Sequence, residues 1–334
     1  MCIRDRSSSR FNQRNFMIKE KNFSAWQLGA SLYMPAHRHD ILDCANGEKY
    51  PALRSMIFCT EDALAQMDVE SGLRHLGFCL QGFKSVPNKY RFIRVRNPAV
   101  LTRLLDLPHI ENIDGFVLPK FDSNVFNVYF DQLKNTGFKI MPTLETRDVF
   151  DVGAMTELRQ ALLEVKHQVL MLRVGGNDLM NLLGIRRPRG LTLYDTPLAQ
   201  VIGQLVTTFK PYGFSLSAPV FEYLNDEKTL LNEIRLDLAH GLTGKTAIHP
   251  NQIECIESAY AVCPEDYEMA AKLVDKTAPA VFKMHESMCE VATHKRWAMN
   301  ILNRERCYGL KQDSALEFSV AVSYTHLRAH ETRE

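Results

Sequence analysis

The chain has 334 residues, is 46% apolar and 24% charged, and carries a formal net charge of +1. These are ordinary globular values, which exclude disorder through most of the chain, and so small a charge argues against a nucleic-acid partner, whose binding needs clustered Lys and Arg. The length allows two domains, although α/β barrels routinely use about 250 residues as one.

The eight cysteines include no CxxC pair and are scattered among apolar neighbours. They read as reduced thiols in a cytoplasm rather than as a disulfide frame or a zinc site. No run approaches the roughly 18 apolar residues of a membrane span, and no secretory pattern opens the chain. Residues 1–16 (MCIRDRSSSRFNQRNF) and 313–334, which end in SYTHLRAHETRE, are polar without an apolar period and read as non-native or disordered tails.

In chain order, β-rich runs alternate with helical ones. Strand candidates are residues 27–34 (QLGASLYM), 53–60 (LRSMIFCT), 91–96 (RFIRVR) and 113–118 (IDGFVL). Apolar spacings of three and four over residues 125–133 then predict a helix. Strand 138–144 (FKIMPTL) is followed by helix 155–165, strand 169–174 (VLMLRV) by helix 198–209, and strand 214–220 (FSLSAPV) by helix 230–239, ahead of a last strand at 244–248 (GKTAI). Several strands are nearly continuous apolar runs, as parallel strands buried on both faces should be. Gly137, Gly213 and Gly241 fall where helix-ending glycines belong. About eight β-then-α units predict an α/β fold, a (β/α)8 TIM barrel over residues 17–256. An open doubly wound sheet is the rival, and the strand count favours the barrel. Residues 257–312 are expected to form a C-terminal helical extension, with helices near 264–276 and 294–306.

In such a barrel, chemistry sits at the C-terminal ends of the strands. Strand two ends in Glu61–Asp62, strand three carries Arg94 and Arg96, strand four ends in Lys120, and strand five in Glu145. Strand six ends in Asn177–Asp178, strand seven runs into Glu222, and strand eight into His249. Each of these alone is equally a solvated loop charge or a helix cap; the set points to one functional rim. Two carboxylates on neighbouring strands, Glu145 and Asp178, suit Mg²⁺, which takes few protein oxygens and keeps waters or substrate oxygens. The alternative makes Asp178 an N-cap and Glu145 a partner of Arg147 or Lys120. Gly175–Gly176 would let a substrate approach the backbone closely. One of Arg94 and Arg96 is expected to face the interior, to meet a substrate carboxylate or enolate, or else to pair with Glu61 or Asp62. The basic loop Arg186, Arg187 and Arg189 is either solvated or a site for a phosphate or carboxylate tail. GLTGKT, residues 241–246, has two residues between its glycines where a phosphate loop needs four, which leaves Lys245 as a further rim candidate. His249 is either a rim imidazole or a helix-start residue, and Glu290 and His294 are lid candidates.

The same segments resemble the HpcH/HpaI aldolase and citrate lyase β-subunit family. LYMPAHRHD resembles its FVPG-x-R stretch, CTEDAL its DLEDAV, RFIRVRN its VRVN, and IDGFVLPK its G-x-VLPK. LETRD, GGNDLMNLLG and GLTGKTAIHPNQI resemble its IET, G-x-x-D-L-x-x-x-LG and GF-x-GK-x-x-IHP-x-Q. NGEKYPALRS, RRPRGLTLYDTPL, SAPVFE and MCEVATHKRWA are most similar to a branch of TIM-barrel C–C bond lyases found near tellurium-resistance-type gene clusters.

The resemblance implies a Mg²⁺-dependent carbon–carbon lyase, with Mn²⁺ as a possible substitute, acting on a 2-oxo acid or related carbonyl acid through an enolate. It places Glu145 and Asp178 at the metal, Arg94 on the substrate, and Glu61 and Asp62 beside the metal's waters. Gly175, Gly176, Asn177, Lys120, Arg187 and His249 complete the expected substrate site. A water oriented by Glu61 or Asp62 is the first candidate base and His249 the second. A homo-oligomer, trimer or hexamer, is implied, with neither membrane nor nucleic acid as partner. Cys59 replaces the first Asp of DLED, Pro35–Ala36 replaces PG, and Asn177 replaces an acid. These departures count against coenzyme A thioester binding. Other functions weighed are a decayed barrel acting as a binding or scaffold protein, and phosphotransfer on a phosphoenolpyruvate-like substrate.

Overall fold

The computed structural model describes residues 23–311; the expected tails lie outside the described residues. In it the strand–helix alternation closes on itself. Strand β1 (Ala30–Pro35) leads to the short α1 (Ile41–Ala45), β2 (Ser55–Cys59) to α2 (Val69–Leu80), and β3 (Tyr90–Arg94) to α3 (Pro98–Leu105). Then come β4 (Gly115–Leu118) with α4 (Ser123–Leu133), β5 (Lys139–Leu144) with α5 (Val152–Glu164), and β6 (Leu172–Val174) with α6 (Gly176–Leu182) and α7 (Leu198–Phe209). The last units are β7 (Leu216–Ser217) with α8 (Glu227–Ala239) and β8 (Lys245–Ala247) with α9 (Gln252–Ala259). All eight strands are parallel, in the order β7-β6-β5-β4-β3-β2-β1-β8. A single bridge between Ala218 and Lys245 joins the two ends, so the barrel expected from the strand count is present and the open sheet is not.

Local chemistry sets the helix ends. Asn97 accepts from the Val100 amide (2.9 Å) ahead of Pro98, the first residue of α3. Asp122 and Asp226 cap α4 and α8 in the same way. Gly213 and Gly241, both read as helix stops, adopt left-handed backbone (φ +82° and +73°) that glycine tolerates best.

Side chains two apart share a face of a strand, and this parity builds the interior. Ile57, Phe92, Val117, Met141 and Met171 cluster within the barrel, with Ala25 and Leu28 beneath them. Their neighbours Met56, Phe58, Ile93, Phe116 and Ile140 join the main core against the helices. Continuing the inward parity toward the C-terminal ends of the strands gives Tyr33, Cys59, Arg94, Glu145 and Arg173. The floor of the barrel is therefore apolar and its mouth polar.

The C-terminal extension consists of α10 (Pro264–Val274), an antiparallel hairpin of β9 (Val281–Met284) and β10 (Ser287–Glu290), and α11 (Val291–Tyr308). Both expected helices are there. The hairpin, which the sequence pattern does not predict, pairs strands with half of their side chains exposed and only Cys289 buried. Tyr308 stacks over Arg54 (4.7 Å) and its hydroxyl donates to the Trp26 carbonyl, tying α11 to the base of the barrel. Glu290 and His294 sit at the start of α11, where the Glu290 amide donates to His294 Nδ1 (3.1 Å). Among the described residues, no helix is long and apolar enough to cross a membrane.

Candidate active site at the barrel mouth

The polar side chains of the mouth are placed by the ends of several strands. Glu61, just past β2, is buried; its Oε2 lies 3.0 Å from Arg94 Nε and its Oε1 accepts from Lys120 Nζ at 3.0 Å. Burial raises its proton affinity despite these two cations. Asp62, 56% exposed, lies 3.3 Å from Arg94 Nη2. Arg94 ends β3, and its Nε also donates to Cys59 Sγ (3.2 Å). The sulfur standing where the resemblance expects a carboxylate thus still faces the site as an acceptor. Arg94 remains fully cationic: burial opposes its charge, but Cys59, Tyr33 and Glu61 overcome that penalty.

Lys120 follows β4 in left-handed backbone (φ +47°), a conformation uncommon for a non-glycine residue. The turn aims its amide at Glu145 Oε1 (2.8 Å) while its ammonium reaches Glu61. Glu145, 5% exposed at the end of β5, has its pKa pushed up to about 8, first by burial and next by the charge of Asp178. A Cβ at Gly175 would lie 2.2 Å from Glu145 Oε2, so the carboxylate occupies space that only glycine leaves free. At Gly176 a Cβ would stand 2.9 Å from Pro219. Asn177 is exposed and Asp178 half-buried in the first turn of α6.

Of the two alternatives for this pair, the N-cap is not seen and the Lys120 contact is seen in part. Gly175, not Asp178, is the N-cap of α6, and Glu145 meets Lys120 through its backbone amide. Among the described residues, neither Glu145 nor Asp178 has a Lys, Arg or His within ion-pair distance. Buried Glu145, whose ionisation the charge of Asp178 opposes, would be relieved by a cation. The pair fits a divalent ion that draws its remaining ligands from water or substrate. Among the described residues, no three His, Cys, Asp or Glu side chains form a metal-holding group.

Three expected positions lie apart from this group. Arg96 falls beyond β3 and donates to the carbonyls of Glu61 and Leu64 (both 3.2 Å). Arg187 is 1% exposed; its guanidinium lies 3.1 Å from Glu233 and 3.4 Å from Glu222 and donates to the Val220 carbonyl at 2.9 Å. Enclosed in this way, it pins the basic loop to α8 and leaves no surface for a substrate. His249 accepts from the Asn251 amide (3.2 Å) at the start of α9, the helix-start role. Lys245 is also corrected. Thr246 takes the inward parity, so Lys245 points outward and is buried between Glu233 (2.9 Å) and Asp237 (2.8 Å) of α8.

Two residues of the mouth escaped the sequence reading. The Tyr33 ring sits between two guanidinium groups, 5.1 Å from Arg94 and 5.4 Å from Arg173. Arg173 is 2% exposed and donates to Thr246 Oγ1 (2.6 Å). The available signal was an arginine interrupting the apolar run VLMLRV at the parity of the barrel interior.

The chain is similar to mouse mitochondrial citramalyl-CoA lyase, 33% identical over 96 residues, which are 29% of this chain and 27% of that protein. The aligned part thus spans about a quarter of that relative's length. It is 25% identical over 251 residues to the (3S)-malyl-CoA thioesterase of Cereibacter sphaeroides, covering 73% of this chain and 80% of the relative. The crystal structure of protein CitE from Mycobacterium tuberculosis in complex with magnesium, acetoacetate and coenzyme A has the same fold, with a TM-score of 0.63 and 19% identity over 83% of this chain and 97% of that one. Residues 22–310 match the family described as C–C bond lyase of the TIM-barrel fold, and the chain belongs to that family.

Proposed function

We propose that this protein is a divalent-metal-dependent carbon–carbon lyase that cleaves or forms a bond next to the carbonyl of a 2-oxo acid or related carbonyl acid. One observation supports the proposal above others: the charge of Asp178 acts on buried Glu145, and neither carboxylate has a Lys, Arg or His within ion-pair distance among the described residues. Magnesium, or manganese, held there would supply Lewis acidity to a substrate carbonyl oxygen. The magnesium and acetoacetate in the similar CitE structure support the choice of ion and of substrate class.

The chain's own residues bind and orient. Arg94 has Nε engaged by Glu61 and Cys59 and Nη2 by Asp62. Among the described residues this leaves Nη1 to hold a substrate carboxylate or the oxygen on which enolate charge gathers. Glu61 fixes Arg94 and Lys120 at once, so the two cations keep a set spacing. The Lys120 amide fixes one oxygen of Glu145, and Gly175 gives that carboxylate room. Lys120 stays protonated: burial works against its charge, and the hydrogen bond to Glu61 prevails.

The phosphotransfer alternative drew on the basic loop, and Arg187 there is taken up by Glu233 and Glu222. Arg189 lies over the Tyr223 ring at 4.8 Å. A cytoplasmic location belongs to the same proposal, supported by the free thiols of all seven described cysteines. So does a homo-oligomer, supported by exposed Leu182, Leu183, Ile185 and Leu191 on the segment that follows Asp178.

The test is a Mg²⁺ and Mn²⁺ titration of the wild-type protein, Glu145→Gln and Asp178→Asn, with cleavage of a 2-oxo acid panel followed by NMR. Saturable binding in the wild type, weakened about 100-fold or more in each folded variant, is expected with parallel loss of turnover. Unchanged metal affinity in both variants would overturn the proposal. Metal binding that both variants lose, without wild-type turnover of any acid, would favour a binding protein.

A further inference from the structure

Cleavage through an enolate needs a proton delivered to carbon, and none of the groups expected from sequence stands ready to do so. His249 accepts from the Asn251 amide, Glu61 is engaged by Arg94 and Lys120, Asp62 lies against Arg94, and Lys120 is held in its ion pair. We propose that Tyr33 is the catalytic acid–base residue of this site and that Arg173 is the residue that positions and charges it. The inference rests on the enolate chemistry proposed above.

Tyr33 lies at the inward parity of β1, above the apolar floor that it packs against. Its phenol faces charged or titratable groups from four other strands: Arg94 of β3, Arg173 of β6, Cys59 of β2, and Glu145 just beyond β5. The Tyr33 side chain is half-buried, and its hydroxyl makes no hydrogen bond to another described residue, so its donor is open to a bound molecule. Arg173 is the more unusual. A buried guanidinium normally meets a carboxylate, yet Arg173 is 2% exposed with only the Thr246 hydroxyl (2.6 Å) and the distant Met141 sulfur as partners. A cation kept there without an anion offers its field to a charge that appears during the reaction.

The protons balance as follows. In the cleavage direction the carbon–carbon bond breaks and its electron pair passes to the enolate, while the substrate hydroxyl releases its proton to solvent as it becomes a carbonyl. The Tyr33 O–H bond breaks and its proton forms the new C–H bond at the enolate carbon. The charge moves to the phenolate, between Arg94 and Arg173, and the phenolate then recovers one proton from solvent. Burial, together with nearby Glu145 and Cys59, makes the phenol hold its proton more tightly than usual; the two guanidinium groups act in the opposite sense and limit that rise.

The half-reaction can be read without knowing the physiological substrate. In D2O with Mg²⁺, pyruvate serves as the probe: the phenolate takes a methyl proton, and a deuteron returns from the exchanged hydroxyl. Proton NMR of the methyl signal should show metal-dependent exchange by the wild type. Tyr33→Phe should slow it about 100-fold or more, the lower range for loss of a general acid–base group, with Mg²⁺ affinity unchanged. Arg173→Met should slow exchange less and move its pH profile upward, because the phenolate loses a cation; a merely structural role would leave the profile in place. Exchange by folded Tyr33→Phe at the wild-type rate overturns this inference and leaves the lyase proposal standing. Metal binding without exchange or cleavage of any 2-oxo acid by the wild type overturns both. Should Tyr33→Phe fail to fold, 3-fluorotyrosine at position 33, a stronger acid of nearly equal shape, should move the profile downward, and an unmoved profile counts against the proposal.

Discussion

The carboxylate of Glu145 is held by what its neighbour lacks. Gly175 has ordinary backbone angles (φ −87°), so space rather than conformation demands glycine there. Gly175→Ala would place a methyl group 2.2 Å from Glu145 Oε2. The carboxylate must turn away, and Mg²⁺ affinity is expected to fall about 10–100-fold, as when a group orienting a metal ligand is changed. Calorimetric titration beside the circular dichroism spectrum of the folded variant checks this; wild-type affinity would show that Glu145 does not take part. At this scale the sequence is readable where a charge follows an apolar run, which is how Glu61, Arg94, Lys120, Glu145 and Asp178 come to notice. It is less so where the deciding property is direction. Arg187 and His249 have suitable chemistry in suitable loops, but Arg187 turns in toward Glu233 and His249 toward its own helix. Tyr33 is obscure for the opposite reason, because a tyrosine inside LYM reads as one more apolar strand residue.

Among the elements, α8 shows how parity divides neighbours. Lys245 and Thr246 are adjacent on β8; one reaches outward to Glu233 and Asp237, the other inward to Arg173. The outward side forms a fully buried ionic set, in which the Tyr194 hydroxyl also donates to Asp237 (2.7 Å) and the Leu193 amide to Glu233 (2.8 Å). Removing one member of such a set leaves an uncompensated buried charge. Lys245→Met is therefore expected to destabilise the fold by about 3–5 kcal/mol, measured by urea unfolding, while the mouth keeps its metal affinity. A loss below about 1 kcal/mol would mean that solvent reaches these groups. The strands are legible from sequence because several are short apolar runs closed by turns and they recur at regular intervals. The β9–β10 hairpin is not, since half of its side chains are exposed and VFKM and SMCE carry little burial pattern.

For the whole molecule, Glu257 connects the closure of the barrel to its extension. It accepts from the Ala30 amide (2.9 Å) at the start of β1 and lies 3.0 Å from Arg54, on which Tyr308 of α11 stacks. Burial, only partly offset by Arg54, raises its pKa from 4.5 to about 7. The folded protein therefore holds a proton that the unfolded chain has lost. Its contribution to stability is full below pH 4.5 and is lost as the pH rises toward 7, at up to about 1.4 kcal/mol per pH unit. Urea midpoints of the wild type should decline across that window more steeply than those of Glu257→Gln; parallel slopes would show that the carboxyl is already ionised in the folded state.

The single bridge between Ala218 and Lys245 has a consequence for how the cylinder yields. β7 is two residues long, and on this line the Thr243 amide donates to Leu216 at 2.7 Å, the Ala218 amide to Gly244 at 2.9 Å and the Thr246 amide to Ala218 at 3.4 Å. The β5–β6 and β6–β7 pairs have two-residue registers, and β1 with β2 has five. A bulkier guest in the lumen would spread the wall along the weakly laced line, displacing Thr246 and Arg173 while the opposite staves keep their spacing. Breadth of accepted guests and grip on the buried arginine thus vary inversely.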